Sequence, residues 1–298
     1  MSVTRALIER LRARMGEARP MPPRQPAIPV TPPPRRVFPI PHRQSRYAQE
    51  AAAHTTALVG IGHVGTRYAT DVVLQFQAEL AVAHEAVGTA LPDDWAEHNG
   101  LLSLQSRVRD HREYLLRPDL GRRLNEDSLR LLREHAEHGV DVQPIVADGL
   151  SAVACMGSGV ALLAAFTREC EAHGWRVGTP MAARFARVWL QDEIGETVGA
   201  KVAVILLGER PGLGTGDGLS AYLVHGPRVG RTDGERNMMS NIHPRGTPAA
   251  QAAHRLAQLT EAMLAQGLSG VDLKLPGGES DGGYREPQVR QRLVEVPR

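Results

Sequence analysis

Residues 201–213, Lys-Val-Ala-Val-Ile-Leu-Leu-Gly-Glu-Arg-Pro-Gly-Leu, constrain this fold more than any other stretch of the chain. From Val202 to Leu207 the run is apolar without a break and rich in β-branched residues. A continuous apolar run of that length predicts a strand covered on both faces, as in a parallel sheet. Gly208, Pro211 and Gly212 then shape a turn whose backbone can approach a ligand closely. Glu209 and Arg210 stand where the strand ends. In open α/β sheets ligands bind in the crevice at the carboxyl ends of the strands, which makes the turn a site candidate.

The flanking sequence alternates strand and helix signals. Val142–Ala147 is a short apolar strand leading into Asp148-Gly149-Leu150-Ser151 and a long helix to about Ala172. Trp175–Val177 and Arg187–Leu190 read as strands separated by a Gly178-Thr179-Pro180 turn, and Ala221–Val224 as another. Asn125 can cap a helix over 126–138, with Gly139 to end it. A helical turn over 193–199 and a last helix over 247–267 complete the pattern, the latter with Ala253, Leu256, Leu259, Met263 and Leu264 on one face. Residues 113–274 are therefore expected to form an α/β domain, a mainly parallel, Rossmann-like sheet flanked by helices.

The rest of the chain reads differently. Residues 51–112 read as helical, with an apolar face of Leu74, Phe76, Leu80 and Val82. Pro92 opens the next helix and Trp95 anchors it to the core. Within residues 1–50, Val3, Leu7, Leu11 and Met15 recur every fourth residue with Ile8 beside them, a short amphipathic helix over 2–16. Ten of the 21 prolines fall between residues 20 and 41, an extended linker. A helix on a stiff tether is either an address peptide or a frayed tail with no role. Residues 275–298 are polar and Gly-rich, and a disordered tail is expected there.

Composition excludes several functions. The formal net charge is only +2, and neither an RNA-binding signature nor a zinc-finger spacing is present, so no nucleic-acid partner is expected. Cys155 and Cys170 lie in one expected helix, roughly 22 Å apart at the rise of an α-helix, too far to pair. That fits a reducing compartment and a cytoplasmic location. No run of about 18 apolar residues predicts a membrane span, and the N-terminus lacks the apolar core of a secretory signal.

Four segments could carry chemistry. Ser151 opens a helix whose free amides could bind an anion, or is simply its cap. Neither the dinucleotide fingerprint nor the Walker pattern is present. Arg117-Pro118-Asp119-Leu120-Gly121-Arg122-Arg123 could pair with carboxylate or phosphate, or form an internal ion-pair network. Glu209 could accept hydrogen bonds from amides of a ligand, or pair with Arg210 to hold its own loop. Arg236-Asn237-Met238-Met239-Ser240-Asn241-Ile242-His243 is polar and sulfur-bearing, with His243 a conceivable ligand or acid–base group. The twelve histidines show no zinc spacing, and no nucleophile elbow stands out.

Taken in order, these pieces resemble one family. Tyr114-Leu115-Leu116-Arg117-Pro118-Asp119-Leu120-Gly121-Arg122-Arg123-Leu124, Asp148-Gly149-Leu150-Ser151, Val177-Gly178-Thr179-Pro180, Asp192-Glu193-Ile194-Gly195-Glu196, Gly208-Glu209-Arg210-Pro211-Gly212-Leu213 and Ser240-Asn241-Ile242-His243 together look like the small (light) subunit of ethanolamine ammonia-lyase. The resemblance covers roughly residues 90–274. It implies a carbon–nitrogen lyase that turns ethanolamine into acetaldehyde and ammonia with adenosylcobalamin. It also implies a hetero-oligomer in which a large subunit holds the substrate and the small subunit closes over the cofactor, contributing no acid, base or nucleophile. The family's cobalamin contacts fall on Val188, Glu209 and Met238, the last a position where the family often has cysteine. No Asp-x-His-x-x-Gly run is present to supply a histidine to the cobalt.

Upstream, Gly62-His63-Val64-Gly65, Glu79-Leu80 and His84-Glu85 depart from the family pattern. The N-terminal helix resembles peptides that route enzymes into bacterial microcompartments, which would make a shell a further partner. Two other readings stay open at this point: a stand-alone α/β enzyme binding a phosphate or nucleotide, and an orphan cobalamin-binding or scaffold paralogue without lyase activity.

Overall fold

The computed structural model describes residues 63–213, 216–244 and 246–275, together with residue 50. The N-terminal amphipathic helix, the Pro-rich linker and the disordered tail expected from sequence lie outside the described residues.

A small hairpin, β1 (His63–Val64) and β2 (Arg67–Tyr68), precedes the long helix α1 (Thr70–Gly88). The short helix α2 (Trp95–His98) leads to strand β3 (Leu102–Gln105) and then to α3 (His111–Leu116). Helix α4 (Glu126–His135) and strand β4 (Val142–Ala147) follow. After β4 comes α5 (Ala152–Ala154), which passes through a π-turn over Cys155–Gly159 into α6 (Val160–Ala172). Strand β5 (Met181–Arg184), helix α7 (Leu190–Val198), strands β6 (Val202–Gly208), β7 (Leu219–His225) and β8 (Asn237–Ile242), and helix α8 (Ala249–Gln266) complete the domain.

Six strands form one sheet in the order β3-β5-β4-β6-β7-β8. The first four are mutually parallel; β7 runs against β6 and β8 against β7. The fold is α/β as expected, with a mixed sheet whose parallel part precedes two antiparallel strands. Strand β6 is central, and six of its seven residues are buried. Its side chains alternate between two cores. Val204 and Leu206 join Leu162, Phe166, Leu256 and Met263 of α6 and α8 on one face. Ile205 joins Leu129, Leu132, Leu190 and Ile194 of α4 and α7 on the other. The π-turn lets the helix approach the sheet closely: a side chain at Gly159 would stand 3.0 Å from Val146 Cγ2.

Several local expectations need correction. Trp175–Val177 is not a strand; only Val177 bridges to Val142. Arg187–Leu190 is the entry to α7, and the strand is instead Met181–Arg184. Alanine-rich Met-Ala-Ala-Arg has little intrinsic strand preference, but burial between β3 and β4 overrides it. Residues 51–112 are not all helical, because the β1–β2 hairpin and the edge strand β3 lie within them. The polar segment 237–242 is the opposite edge strand, β8. Helix α4 stops at His135, four residues before Gly139, because Ala136 turns into extended backbone.

On α1 the buried stripe is Val72, Glu79, Ala83 and Ala86, whereas Leu74 and Leu80 of the expected apolar face are exposed. Trp95 does pack against the core. Cys155 and Cys170 are free and buried in one helical run. That run, Ala152–Ala172, is long and apolar enough to cross a membrane by length and composition alone. Its Leu162, Phe166 and Cys170 are fully buried in the core.

Candidate functional site

The carboxyl ends of β4, β5 and β6 meet closely. Gly149 lies in the left-handed region, φ 54, and a side chain there would collide with the Gly208 carbonyl. A side chain at Gly208 would in turn strike the carbonyls of Asp148 and Ser151. Glycine at both positions is what lets the turn after β4 sit against the end of β6.

Asp148 is the buried anchor of this edge. Its Oδ2 accepts from the Phe185 N–H at 2.7 Å and its Oδ1 from the Ala186 N–H at 3.2 Å. These two bonds hold Phe185 at φ 53, a conformation rare for a side-chain-bearing residue. Burial pushes the Asp148 carboxyl up to about 6, against the pull of the Phe185, Ala186 and Gly149 amides and the Arg184 charge. The loop after β5 is gripped from the other side as well. The Tyr114 hydroxyl donates to the Ala186 carbonyl at 2.9 Å, and the Arg187 guanidinium lies 4.0 Å above the Tyr114 ring. The Arg187 N–H donates to the Gly121 carbonyl at 2.8 Å. Val188, half-buried, is the next residue in this fixed loop.

Glu209 is half-buried just past β6. Its N–H donates to the Gly218 carbonyl at 2.9 Å, and its Oε1 accepts from the Ser220 hydroxyl. Among the described residues it forms no ion pair with Arg210, so the expected Glu–Arg lock on this loop is replaced by Ser220. Ser151 ties the same loop to the helix behind it. Its Oγ accepts from the Ala154 N–H at 3.1 Å, the cap read from sequence, and donates to the Gly216 carbonyl at 2.9 Å.

Met238 lies on β8 opposite Tyr222, which is itself opposite Ile205. The three therefore share the sheet face covered by α4 and α7. Met238 is 54% exposed. Two residues earlier, Arg236 makes a bidentate ion pair with Asp192 of α7, both bonds 2.7 Å long. Burial raises the Asp192 carboxyl, and Arg236 opposes the rise. One turn earlier on α7's approach, the Trp189 indole N–H donates to Asp233 Oδ1 at 2.6 Å. The Val188 segment and the Met238 segment are thus joined through side chains 44 residues apart in sequence.

The other sequence candidates resolve into structural roles. Arg117 pairs with Asp119 at 2.7 Å on the surface, and Arg123 with Glu193 at 3.3 Å. Arg122 lies 4.4 Å over the Trp189 ring. His243 is buried with its Nε2 2.7 Å from Asn241 Oδ1. Among the described residues no group of three His, Cys, Asp or Glu side chains could hold a metal ion. Sequence reasoning missed Asp148 as an anchor, together with Trp189, Asp192 and Arg236. Asp148 was visible only as a polar residue at a strand end, and the pairing of Asp192 with Arg236 has no local signature.

The arrangement presents a half-buried apolar residue, Val188, a half-buried carboxylate, Glu209, and an exposed thioether, Met238, on a braced framework. Over residues 46–274 the chain matches the family model described as ethanolamine ammonia-lyase light chain. It is 41% identical over 221 residues to the ethanolamine ammonia-lyase small subunit of Fusobacterium nucleatum subsp. nucleatum, covering 74% of this chain and 75% of that one. With a match of that extent running through every strand of the sheet and every loop of its edge, the chain belongs to the ethanolamine ammonia-lyase light-chain family.

Proposed function

We propose that this chain is the cofactor-contacting subunit of an adenosylcobalamin-dependent ethanolamine ammonia-lyase, completed by a large subunit that holds the substrate. The name of the Fusobacterium relative, a small subunit, supports a larger partner. The observation that carries the reading is the family match over residues 46–274, supported by the mutual fixing of the Val188 and Met238 segments.

The groups present suit a corrin rim, which is a flat apolar ring edged with amides. Met238 and Val188 offer apolar contact, the former well exposed. Glu209 gives Oε1 to Ser220 and keeps Oε2 to accept from ligand amide N–H groups. When bound, the cofactor supplies the radical chemistry of the reaction. The chain's own part is positional. Glu209 would accept hydrogen bonds from amides of the group, and Val188 and Met238 would give it apolar contact. Methionine in place of the family's frequent cysteine retains an apolar, polarizable contact with weak acceptor character.

The test is to co-express the chain with a cognate large subunit, purify the complex, and assay acetaldehyde formation with adenosylcobalamin. Activity is expected from the complex and none from the chain alone. Turnover by the chain alone would overturn the reading in favour of a stand-alone enzyme. A stable complex that binds cobalamin without turnover would favour the orphan paralogue. In the active complex, Glu209→Ala is expected to weaken cofactor binding about tenfold, roughly 1.4 kcal/mol, with the fold intact and a modest fall in melting temperature from the lost Ser220 bond.

A further inference from the structure

We propose that Asp192 and Arg236 are positioning residues whose buried ion pair sets the placement of Val188 relative to Met238, and with it the affinity for the cofactor. The inference rests on the cofactor-contact reading above.

Both side chains are 2% exposed, and the two 2.7 Å bonds run fork to fork. A bidentate guanidinium–carboxylate pair admits one relative orientation, so it specifies geometry more tightly than a single bond would. Stability alone explains such a pair poorly, because desolvating two charges offsets most of their attraction. What the pair does hold is the start of β8 against α7. Arg236 and Met238 are two residues apart at the start of β8 and point to the same face. Asp192 lies one helical turn beyond Val188, within α7.

The contact continues along the helix. Trp189 bonds Asp233, Glu196 Oε2 accepts from the Val229 N–H at 3.0 Å, and Pro227 occupies the space where a side chain at Gly195 would be. Residues 189, 192, 195 and 196 follow helical spacing on one face. The 226–236 connection is braced internally by Arg231, which donates to the Gly226 and His225 carbonyls at 3.1 Å each and pairs with Glu235. Arg236 Nη2 also donates to the Arg231 carbonyl at 3.0 Å. A displacement at the ion pair would therefore be passed to Met238 rather than absorbed in a loose loop.

The experiment uses the full chain assembled with its large subunit and titrated with adenosylcobalamin by visible absorbance. Asp192→Asn, Arg236→Lys and the double variant are each expected to raise the cofactor Kd by about tenfold, the double no more than either single. The ethanolamine KM and the kcat at saturating cofactor should not change. Leu162→Ala, in the core on the opposite face of the sheet, serves as a control that lowers the melting temperature with the cofactor Kd unchanged. Native-like cofactor affinity in both single variants would overturn the proposal, as would an equal loss in Leu162→Ala. Should neither pair variant assemble, Trp189→Phe decides: about a twofold to threefold rise in Kd supports the proposal and an unchanged Kd overturns it. Glu209→Ala separates the two levels. If it weakens binding and the pair variants do not, this inference fails; if none of them does, the cofactor-contact reading fails first.

Discussion

Phe185 keeps a left-handed backbone because Asp148 takes both N–H groups of the bend, and strain of that kind costs on the order of 1–3 kcal/mol. Asp148 is itself held in an unfavourable place, since burial lifts its carboxyl from 3.8 to about 6. The folded chain therefore binds this proton more tightly than the unfolded chain. Stability from this group is greatest below about pH 4, falls as pH rises to about 6, and is level above that, a change of about 3 kcal/mol. Asp148→Asn removes the titration. Between pH 4 and pH 7 its melting temperature should fall less than that of the native chain, and identical slopes would rule out the assignment. At pH 7 the amide has one oxygen for two N–H groups, so the Val188 loop should also lose order, read as faster amide hydrogen exchange at Phe185 and Ala186.

At the scale of elements, the helix starts were legible because capping is local. Asn125 and Ser151 each accept an N–H three residues on, at 2.8 and 3.1 Å. Ser151 does a second job that no local rule announces, since its hydroxyl also holds the Gly216 carbonyl of the Glu209 loop. Ser151→Ala is expected to cost about 1–2 kcal/mol in chemical denaturation. It should also weaken cofactor binding, whereas Asn125→Ala, a cap remote from that loop, should cost about 1 kcal/mol and leave binding alone. The strands were less legible. Strand β4, Val142–Ala147, reads directly as an apolar run because both of its faces are buried. Strand β5 does not, because alanine suits the narrow space between two layers without advertising a strand. Edge strand β8 reads as a polar loop because three of its six residues are exposed and only one is buried, while its backbone is paired along one side.

For the whole molecule, the family match begins at residue 46, after the segment whose sequence predicts an amphipathic helix and after the Pro-rich stretch. Deleting residues 1–20 should therefore leave assembly with the large subunit and turnover unchanged. If those residues act as the proposed address, the same deletion abolishes co-localisation with a microcompartment shell, and unchanged localisation would sink that role. The sequence by itself determined the α/β class, the buried central strand, the helix caps and the family, because apolar runs, glycines, caps and ordered motifs are written along the chain. Only the tertiary structure decided the strand order, the antiparallel turn of β7 and β8, and the pairing of Asp148 with Phe185 and of Asp192 with Arg236. Those pairings join residues 37 and 44 positions apart, and their strength comes from burial that exists only once the sheet and its helices have closed around them.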